Sequence, residues 1–436
     1  MARKEFRRQL KKEVEQWQQE GFISEELYQQ IADRYEFQNL TTSSQVFSTI
    51  LYCLGGILIG IAVITFVAAN WQYLNRIQRV LLLITWLITI NSLGFHLWQR
   101  TNNYRRLGQG LLLIGGISLG AVIALIAQTF NLSGEPFGLF LIWGIGVIAM
   151  GASLQFQTLT MLGLILLGIG YSGYRFNWRQ EFNLIGLSMP VLSILLLSLS
   201  YWLESKAVFV LVVLLWIESI FELLSQINRP LCWIVPALIL WGYNDTLKLD
   251  RLGSYLSAKT MQPIARFLSL LVGAIGLYRY SFWFVWNQEI STESIDYWYY
   301  EELYFGLMLG IAIYVLVSQL FLVRNDIMTK IYLGIMTIFT AFALLNFDPL
   351  FNVFIVNCLL AIFSIGLIRL GIEKGERRNF WFGIILLCLQ IISRTFEYDA
   401  GLLLKAFTFA LCGIAILSLG IWFERYLQNL SREVNP

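Results

Sequence analysis

The hydrophobic pattern of this chain changes character once, near residue 46. Before that point apolar residues recur at helical spacing among charges: Phe6, Leu10, Val14 and Trp17, then Leu27, Ile31 and Tyr35 after a break at Gly21. That is the period of amphipathic helices. Ser24 is placed as an N-cap, with Glu25 and Glu26 in the first turn, where the helix dipole favours acids. Residues 1–45 therefore predict two short helices folded into a hairpin about the sequence Gly-Phe-Ile-Ser. A unit this small is marginal alone. It is expected to dock, either as a cytosolic cap on the remainder of the chain, or on a protein partner or a second copy.

From residue 46 the pattern is apolar on all sides, in runs separated by short polar breaks. The runs fall near 47–68, 80–98, 107–127, 137–152, 157–174, 183–203, 207–225, 229–243, 263–286, 304–322, 327–346, 349–370, 379–393 and 401–423. A helix crosses a bilayer with about 20 mostly apolar residues, so these predict about fourteen spans, with about twelve as the lower figure. Barrel strands would alternate in polarity, and these runs do not. Inside hydrocarbon a helix satisfies its own peptide groups, which makes the expected fold an all-α polytopic bundle over 46–424, with a short tail at 425–436.

Composition agrees. Hydrophobic residues make up 57% of the chain and charged residues 14%, against about 25% charged in a typical soluble domain. The small charge that remains is placed unevenly. With the N-terminus in the cytoplasm, Arg100, Arg105, Arg106, Lys248, Arg251, Lys259, Lys374, Arg377 and Arg378 face the cytoplasm. The opposite loops hold far fewer, mainly Arg76, Arg79, Arg175, Arg179, Arg229 and Arg394, and the stretch NQEISTESIDYWYYEE after Trp286 has no basic residue. That bias of roughly threefold predicts both termini inside, with the clusters YRYSFWFVW and YWYY as aromatic anchors.

Three stretches carry a resemblance: EGFISEELYQQIADRY, GGILIGIAVITFVAANW and GGISLGAVIALIAQTFNLSGEPFGLFLIWG, in that order. Together they resemble a bacterial family of multi-pass membrane proteins of unknown function that carry a helical hairpin ahead of the first span. The resemblance covers about the first third of the chain. It implies a bacterial inner-membrane protein, and supplies no catalytic or ligand residue.

The glycines of those stretches are spaced by four. Gly56 and Gly60, Gly116 and Gly120, and later Gly306 and Gly310 each share one helix face, the spacing that lets a neighbouring backbone approach. Recurrence of the first two pairs suggests a repeated two-helix unit within 46–152. Each copy ends in amides, Asn70 in one and Gln128 and Asn131 in the other. Such groups cap carbonyls or meet headgroups; alternatively, they line a shared polar vestibule for a neutral or zwitterionic group. Glu218 and Glu222, one turn apart in LVVLLWIESIFELL, are the sharpest candidates. Carboxylates within a membrane segment point to proton or cation handling, unless they lie at the outer interface beside Arg229, Arg175 and Arg179.

Asn352, Asn357 and Gln390, amides inside apolar runs, read as interhelical hydrogen bonders. Little else suggests chemistry. Cys53, Cys232, Cys358, Cys388 and Cys412 form no C-x-x-C and read as small buried hydrophobes; His96 is the single histidine. No phosphate loop, zincin helix or nucleophile elbow occurs, so no cofactor, metal site or catalytic set is expected. Basic residues are spread over short loops, which argues against nucleic acid as a partner. The expected role is non-enzymatic, a scaffold or regulator acting through residues 1–45 within the lipid bilayer. The alternative is a secondary transporter or lipid flippase, its substrate unnamed, with a polar site built from the amides and glutamates.

Overall fold

The computed structural model describes residues 10, 13–18, 20–34, 71–99, 105–177, 184–227, 230–243, 258–287, 299–322, 327–345 and 347–434. Every regular element among the described residues is a helix. The chain divides into two compact units: Met1–Trp86 with Thr129–Asn131, and Leu87–Gln128 with Leu132–Pro436.

In the first unit, residues 13–18 are helical, Gly21 turns the chain at a φ of 78°, and α1 follows as Glu25–Arg34. The left-handed φ explains why glycine stands there. Ser24 Oγ accepts from the Leu27 amide at 3.3 Å, an N-cap. Gln18 donates to the Glu25 carboxylate, and the Tyr28 hydroxyl bonds to Glu15. Partial burial, with Glu15 and Glu25 close by, raises the Tyr28 pKa above the usual phenol value. A single 3-10 turn, Trp71–Tyr73, leads into α2 (Arg76–Gln99). Asn75 and Gln78 exchange backbone-to-side-chain hydrogen bonds at 3.0 Å each, a reciprocal cap that starts α2.

The second unit adds α3 (Arg105–Thr129), α4 (Pro136–Ser153), α5 (Gln157–Asn177), α6 (Leu184–Trp202), α7 (Lys206–Ile227), α8 (Leu231–Trp241), α9 (Ala258–Tyr280), α10 (Trp283–Asn287), α11 (Tyr299–Leu322), α12 (Ile327–Leu345), α13 (Pro349–Lys374), α14 (Arg377–Glu397) and α15 (Leu402–Val434). Helices cover thirteen of the fourteen expected runs; 47–68 lies outside the described residues. Among the described residues, seven helices are long and apolar enough to cross a membrane: α2, α3, α4, α9, α13, α14 and α15. The expected run 263–286 is not continuous. Its helix stops at Tyr280, turns through Ser281 and Phe282, and resumes as the five-residue α10.

Glycine sets the closest approaches. On α4, Gly144 and Gly151 stand seven apart; on α5, Gly163 and Gly170 do the same. A Cβ built on Gly144 would lie 2.8 Å from the Leu167 amide nitrogen, and one on Gly163 would lie 2.7 Å from that of Ile148. Backbone meets backbone along this seam, which no larger residue permits. Elsewhere the centre is filled by α8, with ten of its eleven residues buried among α7, α9, α11 and α12. Beside it Ser269 Oγ donates to the Ala237 carbonyl at 2.5 Å and the Tyr332 hydroxyl donates to the Ser269 carbonyl at 3.0 Å, while the buried indole nitrogens of Trp233 and Trp241 make no hydrogen bond.

Candidate functional site

The break between α9 and α10 is held by side chains from two other helices. A helix leaves its last carbonyls without partners, and here each of those near the break finds one. Tyr278 O accepts from Ser281 Oγ at 2.6 Å, and Arg279 O from the Phe282 amide at 3.5 Å. Tyr280 O accepts from the Trp286 indole at 2.8 Å. The Ser281 carbonyl takes two donors, Arg394 Nη1 at 2.7 Å and Asn357 Nδ2 at 2.9 Å. Arg394 thus places a cation on the negative end of α9, where the helix dipole favours it.

Glu397, one turn beyond Arg394 on α14, closes the other side. One of its carboxylate oxygens pairs with Arg394, and the other accepts from the Trp283 amide at 2.7 Å. The two side chains are 17% and 11% exposed, so this ion pair is largely withdrawn from solvent. The guanidinium carbon lies 4.2 Å from the Phe282 ring centroid, and its Nε makes no hydrogen bond. Gln390 Nε2, a turn below, donates to the Asn357 carbonyl at 2.8 Å and side chain at 3.2 Å, which couples α14 to α13.

Beside this clamp lies an open groove of about 560 Å³, walled by Tyr278, Phe282, Trp283, Phe284 and Phe396, with Glu397 at its edge. Both oxygens of Glu397 are already engaged, so the carboxylate is not poised as a free base. The aromatic walls suit an acyl chain or an apolar side chain.

A second open groove, of about 410 Å³, runs between α5 and α7 and contains Glu218. Glu218 is half-buried and accepts from Ser172 Oγ at 2.5 Å; the same hydroxyl reaches the Gly168 carbonyl at 2.9 Å. The remaining lining is apolar apart from Gly168, including Leu164, Ile165, Leu211 and Leu215. Glu222 follows one turn later on α7, but its side chain lies outside the described residues, as do Arg175, Arg179 and Arg229.

The other sequence candidates are dispersed. Asn70, Gly56 and Gly60 lie outside the described residues. Gln128 is exposed in the last turn of α3; Asn131 is exposed in the following turn at a φ of 50°. Gly116 and Gly120 admit a side chain rather than a backbone. The Trp143 indole packs where a Cβ on Gly120 would stand, 2.3 Å from its ring, and donates to the Gly116 carbonyl at 2.7 Å. Gly306 and Gly310 have no atom within 4 Å of a built Cβ, so among the described residues they seat no neighbour. The clamp residues Ser281, Arg394 and Glu397 were not singled out by sequence. The available signal was the pair in SRTFE, an arginine and a glutamate three apart where an apolar run ends. Among the described residues no group of three His, Cys, Asp or Glu side chains is arranged to hold a metal ion.

Both grooves and the clamp lie beyond residue 160. No curated protein and no solved structure matches the chain. Residues 15–160, about its first third, match the model of a family described as "Predicted membrane protein (DUF2157)", a similarity that agrees with the seven described helices long and apolar enough to cross a membrane.

Proposed function

We propose that the protein is a non-enzymatic scaffold or regulator of a bacterial cytoplasmic membrane, with both termini in the cytoplasm and its contact surface on the N-terminal helical pair. The observation that carries this reading is the apolar set exposed there. Phe22 is 77% exposed, with Leu27 and Trp17 beside it in sequence at 44% and 40%. Large apolar side chains exposed together on a short polar segment favour a docking contact. The filled centre around α8 supports the same reading, because a carrier needs a polar cavity near the midplane. The bias of basic residues along the sequence, with Lys374, Arg377 and Arg378 at the turn between α13 and α14, supports the cytoplasmic assignment of that end.

The test is a photo-crosslinking residue placed at Phe22 in cells. A protein adduct is expected, either to a partner or to a second copy. Adducts confined to lipid would remove the proposal.

A transporter or flippase remains the second reading, on one observation: Glu218, a carboxylate in an apolar groove, bonded across helices to Ser172. Under that reading Glu218→Gln, which keeps the shape, abolishes a proton-dependent flux in reconstituted vesicles. An unchanged flux would reduce Glu218 to a helix-packing role.

A further inference from the structure

α14 and α15 run antiparallel, and their register can be followed along the whole seam. Arg377 meets Glu424 in a two-pronged ion pair at 2.8 Å, and the Phe380 and Phe423 rings stack at 3.9 Å. Trp381 fills the space over Gly420; near the other end Phe396 meets Phe409 at 6.1 Å. Each step up one helix is matched by a step down the other, and this register sets Cys388 opposite Cys412. Both side chains belong to one buried cluster on this seam. They are 8% and 6% exposed, within an apolar cluster that includes Phe380, Ile384 and Phe423. Sequence spacing hides the pair, because 24 positions separate the cysteines.

We propose that Cys388 and Cys412 are a dithiol that an apolar hydroperoxide oxidises to a disulfide, tying the final helix to α14. Cys388 stands near the middle of α14, so an oxidant must dissolve in hydrocarbon to arrive. One sulfur attacks the terminal peroxide oxygen: an S–O bond forms, the O–O bond breaks, and the alcohol leaves with the thiol proton. The second sulfur then attacks the resulting sulfenic acid: the S–S bond forms, the S–O bond breaks, and water leaves with the second proton. Two thiols lose two electrons, and the hydroperoxide becomes an alcohol and water. Thiols that share one packed cluster on facing helices need side-chain rotation, not a change of helix register, to approach bonding geometry. The product matters because α15 is held by one narrow face, with 11% of its apolar window buried. A covalent tie fixes a helix that packing alone holds lightly.

The experiment treats the full-length protein in lipid vesicles with cumene hydroperoxide, then denatures, alkylates and digests it for mass spectrometry. A linked peptide pair containing Cys388 and Cys412, lighter by two hydrogen atoms, is expected from protein that stays monomeric on a non-reducing gel. Cys358, exposed on α13, is the internal control for reagent reaching the protein. In Cys412→Ser the linked pair disappears, and Cys388 instead yields a sulfenic acid trapped by dimedone. Recovery of Cys388 and Cys412 separately alkylated, separately over-oxidised, or joined between two chains would overturn the proposal.

Discussion

Arg394 carries its charge on a side chain that is 17% exposed, and everything it touches belongs to a different kind of demand: a helix-end carbonyl, a carboxylate and an aromatic face. Breaking such a pair by removing one partner strands the other. Arg394→Leu is therefore expected to cost about 3 kcal/mol, read as a loss of stability in mixed-micelle unfolding. Arg394→Leu with Glu397→Leu should cost less than the sum of the two single changes, since the stranded charge is gone. Additive losses would show that the two residues act independently. Asn357 and Gln390 were legible as interhelical hydrogen bonders because an amide inside an apolar run has few other uses. Arg394 was read only as an outer-loop basic residue, because its partner Ser281 lies 113 positions away and leaves no mark beside it.

Helices were the legible elements, since an apolar run in lipid has no other way to satisfy its backbone. The interruption at Ser281 was not legible: the run YRYSFWFVW stays apolar, with no glycine or proline to announce a stop. What ends α9 is supplied by α13 and α14. The α4–α5 seam is hidden for another reason: its glycines repeat every seven residues, outside the spacing of four that marks a small-residue packing face. Gly163→Val would drive a side chain into the Ile148 backbone, which cannot yield, at an expected cost of about 3 kcal/mol. Gly310→Val, with open space around it, should stay within about 0.5 kcal/mol. Thermal unfolding of the two variants side by side checks the contrast, and equal losses would disprove the seam.

Across the whole molecule, consecutive helices of the second unit reverse direction where contacts fix them. α8 runs against α7, with Trp233 by Phe221 and Tyr243 by Phe209. α9 reverses again, with Gly276 under Trp233 and Arg266 over Trp241. α14 and α15 continue the alternation. That alternation is consistent with the crossing order read from basic residues, and it places the clamp at the end opposite Arg377 and Arg378. A reporter enzyme fused at Glu293 should therefore be active only when exported; activity from the cytoplasm would invert the orientation.

The burial of α8 bears on how the chain is made. Eleven residues rise about 16 Å, roughly half the hydrocarbon thickness. Its apolar surface is thus matched to protein, not to lipid. Of the four helices that enclose α8, one, α7, precedes it, whereas α9, α11 and α12 are synthesised afterwards. At the moment it leaves the ribosome α8 has one wall of its site and lacks the other three. Final placement must await the chain through Leu345, so a ribosome stalled before α9 holds a segment with nowhere to settle, and the centre of the second unit closes late in synthesis.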